Sequence, residues 1–254
     1  MSWRDPDAHR SHIVARLART PAGSDASHYE FVCVRGATEA RQHGFTPITS
    51  FAHLERVYRS DVLFPFFTNR IMSSSRPEYP RMLDRVLLPQ GPSDPLALLA
   101  RTGGVRATDT FETFAMPRYN EESGDYQTLF LVHGLRWLPQ ASHERITGLA
   151  KGDQLYLMED FQNAHDPAAM ALRTDDRFLV GHVPNWLLLD LFELARQCRG
   201  AEVFVENVSP APAPLDQRLL CSLHSCWPAE FTPFSDVRFE PIPTEAIATS
   251  VLLA

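Results

Sequence analysis

Four side chains within one short stretch have the types needed for metal or acid–base chemistry. They are Glu159, Asp160, His165 and Asp166, in LYLMEDFQNAHDPAAMAL at residues 155–172. Three carboxylates and an imidazole could gather a divalent cation for phosphodiester hydrolysis. Adjacent residues on a strand point to opposite faces, however, so only some of the four can converge. A second cluster, Cys221, His224 and Cys226 in the run CSLHSC, offers three zinc-binding residue types. Alternation on a strand separates Cys221 from His224 and no fourth ligand is evident, so small buried thiols against a sheet are the better reading. No Gly-x-Ser-x-Gly serine-nucleophile motif occurs. These observations lead us to expect no catalytic constellation, no cofactor and no bound metal.

The same stretch reads better as strand, loop and strand. Leu155 and Leu157 give an apolar strand that ends in Glu159 and Asp160. The chain turns through Asn163 and Asp166-Pro167 and resumes as Ala168 to Leu172. Asn and Asp suit such a loop because their side chains hydrogen-bond nearby backbone. By residue type alone, Trp137 reads equally as a core ring, Arg136 as a solvated charge at a strand end, and His182 as a partly buried histidine.

The elements that must position these residues follow from periodicity and turn chemistry. Residues 1–26 look loosely ordered, with one helical turn through Ile13 to Leu17. Alternation from Tyr29 to Val34 reads as a strand closed by Gly36. Ile48 to Val57 and Val62 to Phe67 are apolar and rich in aromatics, and Ser73-Ser74-Ser75 breaks the run. Helices are predicted over Glu78–Val86 and Ser93–Arg101, the second with Ser93 as N-cap and Gly103-Gly104 as its stop. A strand at Thr110–Phe114 closes this module, and Asn120–Asp125 reads as a charged linker. Beyond it come strands over 128–134, from Gln154, at Arg177–His182, at Glu202–Val205 and at Arg218–Leu223. A short helix is predicted near Glu144–Leu149, and another opens at Val183-Pro184-Asn185-Trp186 and runs to about Gln197.

Composition bounds the function. The chain has 254 residues and a net charge of −7. Residues 1–119 hold fifteen basic against twelve acidic residues, whereas residues 126–205 hold seven against ten. Tight non-specific duplex binding, which depends on neutralising many phosphates, is a poor match to that balance. Lys151 is the only lysine, so any phosphate contact must come from arginine. The start of the chain lacks the apolar core of a secretory signal, and no run of 18 apolar residues occurs. With four cysteines and no such signal, a cytoplasmic location with reduced thiols is expected.

Two resemblances add to this reading. The ordered set GLRW (Gly134–Trp137), GD before a strand, NxxDPxAxxL (Asn163–Leu172) and GHVP before a helix resembles a HIRAN domain over residues 126–205. That resemblance implies an OB-like β-barrel whose pocket holds the 3′-hydroxyl end of single-stranded DNA. It further implies that Arg136 contacts phosphate, Trp137 stacks on a base, Asn163 shapes the loop and Asp166 accepts the terminal hydroxyl. His165 stands where the loop aromatic sits, Leu138 where a second Tyr is common, and Asn185 in place of a basic residue, with His182 able to lend a donor. Residues 45–116, with LFPFFTNRIMSSSRPEYPRMLDRV and DPLALLARTGG, are similar to the N-terminal subdomain of HipA-type kinases, although no kinase body follows.

The sequence reading is thus an α+β chain with a small N-terminal α+β module (27–119) after a loose terminus (1–26). A linker (120–125) leads to an OB-like barrel with a flanking helix (126–205), and a C-terminal β extension (206–254) packs on the barrel. The expected function is non-catalytic binding of a single-stranded DNA end, in repair or in defence against foreign DNA. The alternative is regulatory docking on a HipA-like kinase partner, with Phe64, Phe66 and Phe67 as anchors.

Overall fold

Alternate residues of β8 (Asp125–Leu131) turn inward, with Tyr126, Thr128 and Phe130 buried and their neighbours half-buried. That two-residue period marks a sheet with one face on a core. In the computed structural model, which describes residues 1–20 and 28–242, β8 belongs to a seven-stranded antiparallel sheet. Its other strands are β7 (Arg118–Tyr119), β9 (Gln154–Glu159), β10 (Met170–Arg173), β11 (Leu179–His182), β12 (Ala201–Val208) and β13 (Leu219–Cys226). The order across the sheet is β11-β10-β9-β12-β13-β8-β7.

This sheet lies in one of two compact units, which comprises residues 74–93 and 117–233. Its core collects Leu155, Leu172, Val180, Val203, Val205, Leu219 and Leu223, all nearly inaccessible. Helix α6 (Leu188–Gln197) adds Leu188, Leu191 and Leu194, spaced three apart so that one stripe faces inward. Helix α5 (Gln140–Thr147) contributes Ile146. Helix α3 (Tyr79–Arg85) also belongs here. Its last carbonyls, those of Asp84 and Arg85, accept hydrogen bonds from Asn207 Nδ2 at 3.1 and 3.0 Å, a side-chain answer to the unpaired acceptors of a helix end.

The sheet is open, not the closed barrel expected from the sequence. A single bridge, His133 to His182, joins edge strand β11 to the chain just past β8. Two backbone hydrogen bonds make it, at 3.0 Å from His133 N and 2.9 Å from His182 N. Gly181 permits this approach. A Cβ there would lie 2.3 Å from Val132 Cγ1 and 2.6 Å from the His133 carbonyl oxygen, and its φ of 134° is itself unfavourable for other residues.

The second unit comprises residues 1–73, 94–116 and those from Phe234 onward. It holds two three-stranded sheets. One orders β2 (Ser11–Ile13), β1 (Ser2–Arg4) and β6 (Phe111–Glu112), and the other β3 (Ala15–Arg19), β4 (Tyr29–Cys33) and β5 (Tyr58–Ser60). Helices α1 (Gly36–Gln42), α2 (Pro65–Thr68) and α4 (Pro95–Thr102) accompany them. Aromatic packing dominates the core, with the Phe31 and Phe51 rings stacked at 3.9 Å. Arg70 is buried beside the Phe66 and Phe111 rings. It donates to the Gly104 carbonyl at 2.9 Å and to Asp109 at 2.5 Å, with its guanidinium 4.1 Å from the Phe66 centroid.

Several expectations are corrected. Residues 1–20 are not loose and Ile13–Leu17 is not helical, because Trp3, Ile13, Val14 and Ala15 are buried across paired strands; residues 21–26 lie outside the described ones. Asn120–Asp125 is no linker but the turn of the β7–β8 hairpin, with Asn120 N bonded to Asp125 O at 2.9 Å and Gly124 N to Asn120 O at 2.8 Å. The N-cap of α4 is Asp94, whose carboxylate accepts from Leu96 N, where Ser93 was expected. Residues 45–116 do not stay together as one module, since 74–93 join the large sheet's unit. Phe67 is fully buried and Phe64 and Phe66 pack against the same core, so they are not exposed anchors. The C-terminal extension divides too. β13 sits inside the sheet between β12 and β8, residues from Phe234 join the other unit, and 243–254 lie outside the described residues.

The four cysteines are not all thiols. Cys198, at the end of α6, forms a disulfide with Cys226, at the end of β13, and the two Cα atoms stand 5.9 Å apart. Cys33 and Cys221 are free and buried, and burial raises both thiols, Cys33 to about 12, which makes them poor nucleophiles. Among the described residues no helix is long and apolar enough to cross a membrane.

Two measurements test this architecture. Unfolded, unreduced protein should titrate two thiols, Cys33 and Cys221, and four after reduction. Replacing Cys198 and Cys226 with Ser should lower stability to urea by about 2–4 kcal/mol; four thiols before reduction would remove the bridge. Gly181→Ala should destabilise by about 3 kcal/mol and expose the His133 and His182 amides to hydrogen exchange while the β12–β13 amides stay protected. Unchanged protection at His133 would mean the close approach is not what Gly181 provides.

Candidate functional site

The bridge that joins the sheet's edge to β8 also gathers the polar residues. Immediately after His133 the chain turns at Gly134, whose φ is 80° and whose Cα faces the His182 ring; a Cβ there would stand 3.1 Å from His182 Nδ1. Leu135, Arg136 and Trp137 form a 3-10 turn closed by Trp137 N to Gly134 O at 3.0 Å. Three residues per turn send Leu135 into the core and leave the next two outside. Trp137 is consequently 75% exposed, and Arg136 is exposed beside it with its guanidinium carbon 6.0 Å from the indole. GLRW is therefore a turn and not a strand end, and Trp137 does not plug a core.

The second part is the loop between β9 and β10. Asp160 N bonds to Ala169 O at 2.9 Å and so extends the ladder past Glu159. Within the loop, Asn163 Oδ1 accepts from His165 N at 3.1 Å and from Asp166 N at 3.0 Å. Asp166 Oδ1 accepts from Ala168 N at 2.9 Å. The two side chains thus supply hydrogen bonds that the strands cannot, which is why Asn and Asp hold these positions. Asp166 Oδ2 accepts from Asn185 Nδ2 at 2.5 Å, which ties the loop to the turn that precedes α6. Asn185, in the place of a basic residue, thus gives Asp166 a neutral partner.

His182 links the two parts. Its Nε2 lies 2.9 Å from Asp160 Oδ2, and Asn163 Nδ2 donates to that same oxygen at 3.2 Å. An ionised carboxylate only accepts, so the pair requires the imidazole proton on Nε2. The hydrogen bond from His182, with a further one from Asn163, holds the Asp160 carboxyl below the ordinary aspartate range against the opposing effect of desolvation.

Asn163, Asp166, His182 and Asn185 therefore join one hydrogen-bonded cluster. His165 sits exposed on its rim with its backbone held by Asn163. Arg136 and Trp137 adjoin the cluster through Gly134 and the bridge. Sequence reasoning treated Asp160 only as a metal ligand and passed over Phe161. Asp160 anchors the cluster, and Phe161, the next residue, is 82% exposed. The available signal was an aromatic in a polar turn, where no strand or helix period gives it an apolar neighbour. Glu159 takes no part in the cluster, as strand alternation predicts. Among the described residues no group of three or more His, Cys, Asp or Glu is placed to hold a metal ion. Cys226 is bonded to Cys198, and His224 Nε2 contacts Ser222 Oγ at 2.8 Å.

Comparison with known proteins sets this geometry in context. No curated protein matches the chain. Among solved structures, a protein from Lactobacillus plantarum is 19% identical over 40% of this chain and 97% of that one, with a TM-score of 0.33. The HIRAN domain of human HLTF is 18% identical over 40% of this chain and 72% of that one, with a TM-score of 0.28. The similarity of residues 45–116 to HipA-type kinases finds no support among these matches. Residues 126–224, which carry Arg136, Trp137 and the whole His182–Asp160–Asp166 cluster, match the family model of the HIRAN domain.

Proposed function

We propose that residues 126–224 form a non-catalytic module that binds the 3′-hydroxyl end of single-stranded DNA. HIRAN domains generally recognise such ends, and the observation that carries the reading for this chain is Trp137. Trp137 presents a flat aromatic face to solvent, 75% exposed, directly beside the Arg136 guanidinium. A base can stack on that face, and such stacking is worth about 1–3 kcal/mol. Phe161, just past the anchored Asp160, supplies a second stacking face. It stands in for the aromatic that His165 replaces.

The acidic cluster sets which end is accepted. Both Asp166 oxygens already accept one hydrogen bond, yet a carboxylate has about four lone-pair sites, so a terminal hydroxyl can still donate to it. A terminal phosphate would meet the negative charges of Asp160 and Asp166 and be repelled. Arg136, exposed beside Trp137, is the cation that would hold an internal phosphate. Because the contacts are few and the surrounding domain is acidic, the module suits free ends over duplex, the need met in repair or in defence against foreign DNA.

Fluorescence anisotropy with 3′-hydroxyl and 3′-phosphate oligonucleotides tests this. The hydroxyl form should bind more tightly, with affinity falling with salt at a slope of only about −0.7 to −1.4, as for one or two phosphates. Trp137→Ala should weaken binding about 5- to 100-fold, and Asp166→Ala should narrow the discrimination between the two ends. Unchanged binding by the double variant would reject the site.

Acid should loosen the same cluster. Because the folded Asp160 pKa lies below its unfolded value, its contribution is fully present above about pH 4 and is lost as pH falls through the folded value. Asp160→Asn should therefore unfold at lower temperature than the parent at pH 6, with the gap narrowing as the pH is lowered into the acid range where the folded carboxylate takes up its proton. A gap that is constant with pH would assign the anchoring to something other than the carboxylate charge.

A further inference from the structure

The outer face of β9 and β10 continues away from the His182–Asp160 pair as an exposed strip of aromatic, thioether and guanidinium groups. Cross-strand register places His182 beside Ala171 and Ala171 beside Met158. The next pair on that face, two residues along each strand, is Arg173 with Tyr156. Leu172 and Leu157, between these pairs, belong to the opposite, core-facing side, as alternation requires. Asp160 extends the outer set on β9, so Tyr156, Met158 and Asp160 share one face. Ala171 is small and buried, which makes it a floor between Met158 and His182.

Three features separate this strip from an ordinary sheet surface. Tyr156 and Met158 are 38% and 44% exposed, although both are large and apolar. The Arg173 guanidinium carbon lies 5.0 Å from the Tyr156 centroid, within cation–π range. Arg173 Nη1 donates to the Thr174 carbonyl at 3.0 Å, and among the described residues Arg173 makes no ion pair with a carboxylate. An arginine that stacks on a tyrosine with one hydrogen bond made by its five donors can hold a phosphate beside a stacked base. The two pairs are about 7 Å apart along the strands.

We infer that Tyr156 and Arg173 form a second nucleotide subsite, which takes the body of a single DNA strand whose 3′ end sits at the His182–Asp160–Asp166 cluster. The inference rests on the end-binding reading above and extends it. The strand crosses the sheet from the loop over Met158 to Tyr156, its base stacked on the tyrosine and its phosphate on Arg173. Single-stranded nucleic acid is the occupant because the strip is continuous with the end site and pairs a cation with an aromatic; an apolar protein partner would leave Arg173 without a counter-charge.

Oligothymidylates with a free 3′-hydroxyl, one a trinucleotide and one of about eight nucleotides, separate the two sites. The longer strand should bind parent protein more tightly. Tyr156→Ala should lose about tenfold on the longer strand and nothing on the trinucleotide, and Tyr156→Phe should keep both affinities. Arg173→Gln should lower the salt slope for the longer strand by about 0.7. Equal affinity of parent protein for both lengths, or an equal loss on both with Tyr156→Ala, would overturn the second subsite while leaving the end site standing. Failure of parent protein to bind either strand would overturn the end-binding reading and this extension with it.

Discussion

The reciprocal backbone pair between His133 and His182 is the constraint on which the candidate site depends. It costs the chain a side chain at Gly181, where the neighbouring strand leaves no room for a Cβ. In return it sets the GLRW turn and the β9–β10 loop on either side of one imidazole. The His182 side chain carries the order outward to Asp160, Asn163 and the loop. Backbone pairing thus places the side chains, and the side chains then fold the loop. Neither step needs a closed barrel, because one two-bond bridge fixes the register that a longer ladder would otherwise supply.

The loop itself shows how polar residues can be structural and functional together. Asn163 and Asp166 meet the hydrogen-bonding needs of backbone that leaves the strand ladder. With those needs met locally, the loop holds its shape without an apolar anchor, and Phe161 is left facing water. The Asn185–Asp166 contact has the same character. A lysine in place of Asn185 would neutralise Asp166 and add a phosphate contact, whereas the amide fixes the carboxylate and leaves its charge intact. On the proposed end-binding reading, the site gains order and selectivity against phosphate at the expense of overall attraction to DNA.

The parts of this organisation legible in sequence are those governed by local rules. The strand starting at Gln154, the helix ending at Gln197 and the Gly103 stop follow from alternation, helical spacing and the left-handed cap, each readable within a few residues. The Asn163 and Asp166 loop was legible for the same reason. What escaped depends on partners distant in sequence. Residues 1–20 are strands because β1 pairs with β6 more than a hundred residues later, and Asn120–Asp125 is a hairpin turn only because β8 finds β13. Exposure at Trp137 was likewise undecidable from type, since it depends on the 3-10 turn that sends Leu135 inward. The Cys198–Cys226 pair spans two elements whose ends meet only in the folded sheet.

An acidic domain that binds DNA has to draw its affinity from something other than counterion release. Stacking is indifferent to net charge, and each base placed on an aromatic ring contributes about 1–3 kcal/mol. Two rings would therefore give a few kcal/mol in total, enough for a transient complex and too little for a tight one. That arithmetic makes the exposed surface of β9 and β10 consequential, since additional stacked nucleotides are the route to affinity that an acidic surface leaves open. On the proposed reading, the negative charges around Asp160 and Asp166 would then act mainly on choice. They would oppose any ligand that arrives with a terminal phosphate or a dense phosphate backbone, and leave a bare strand end, with its hydroxyl donor and its stacked bases, as the nucleic-acid feature that loses least on entering the site.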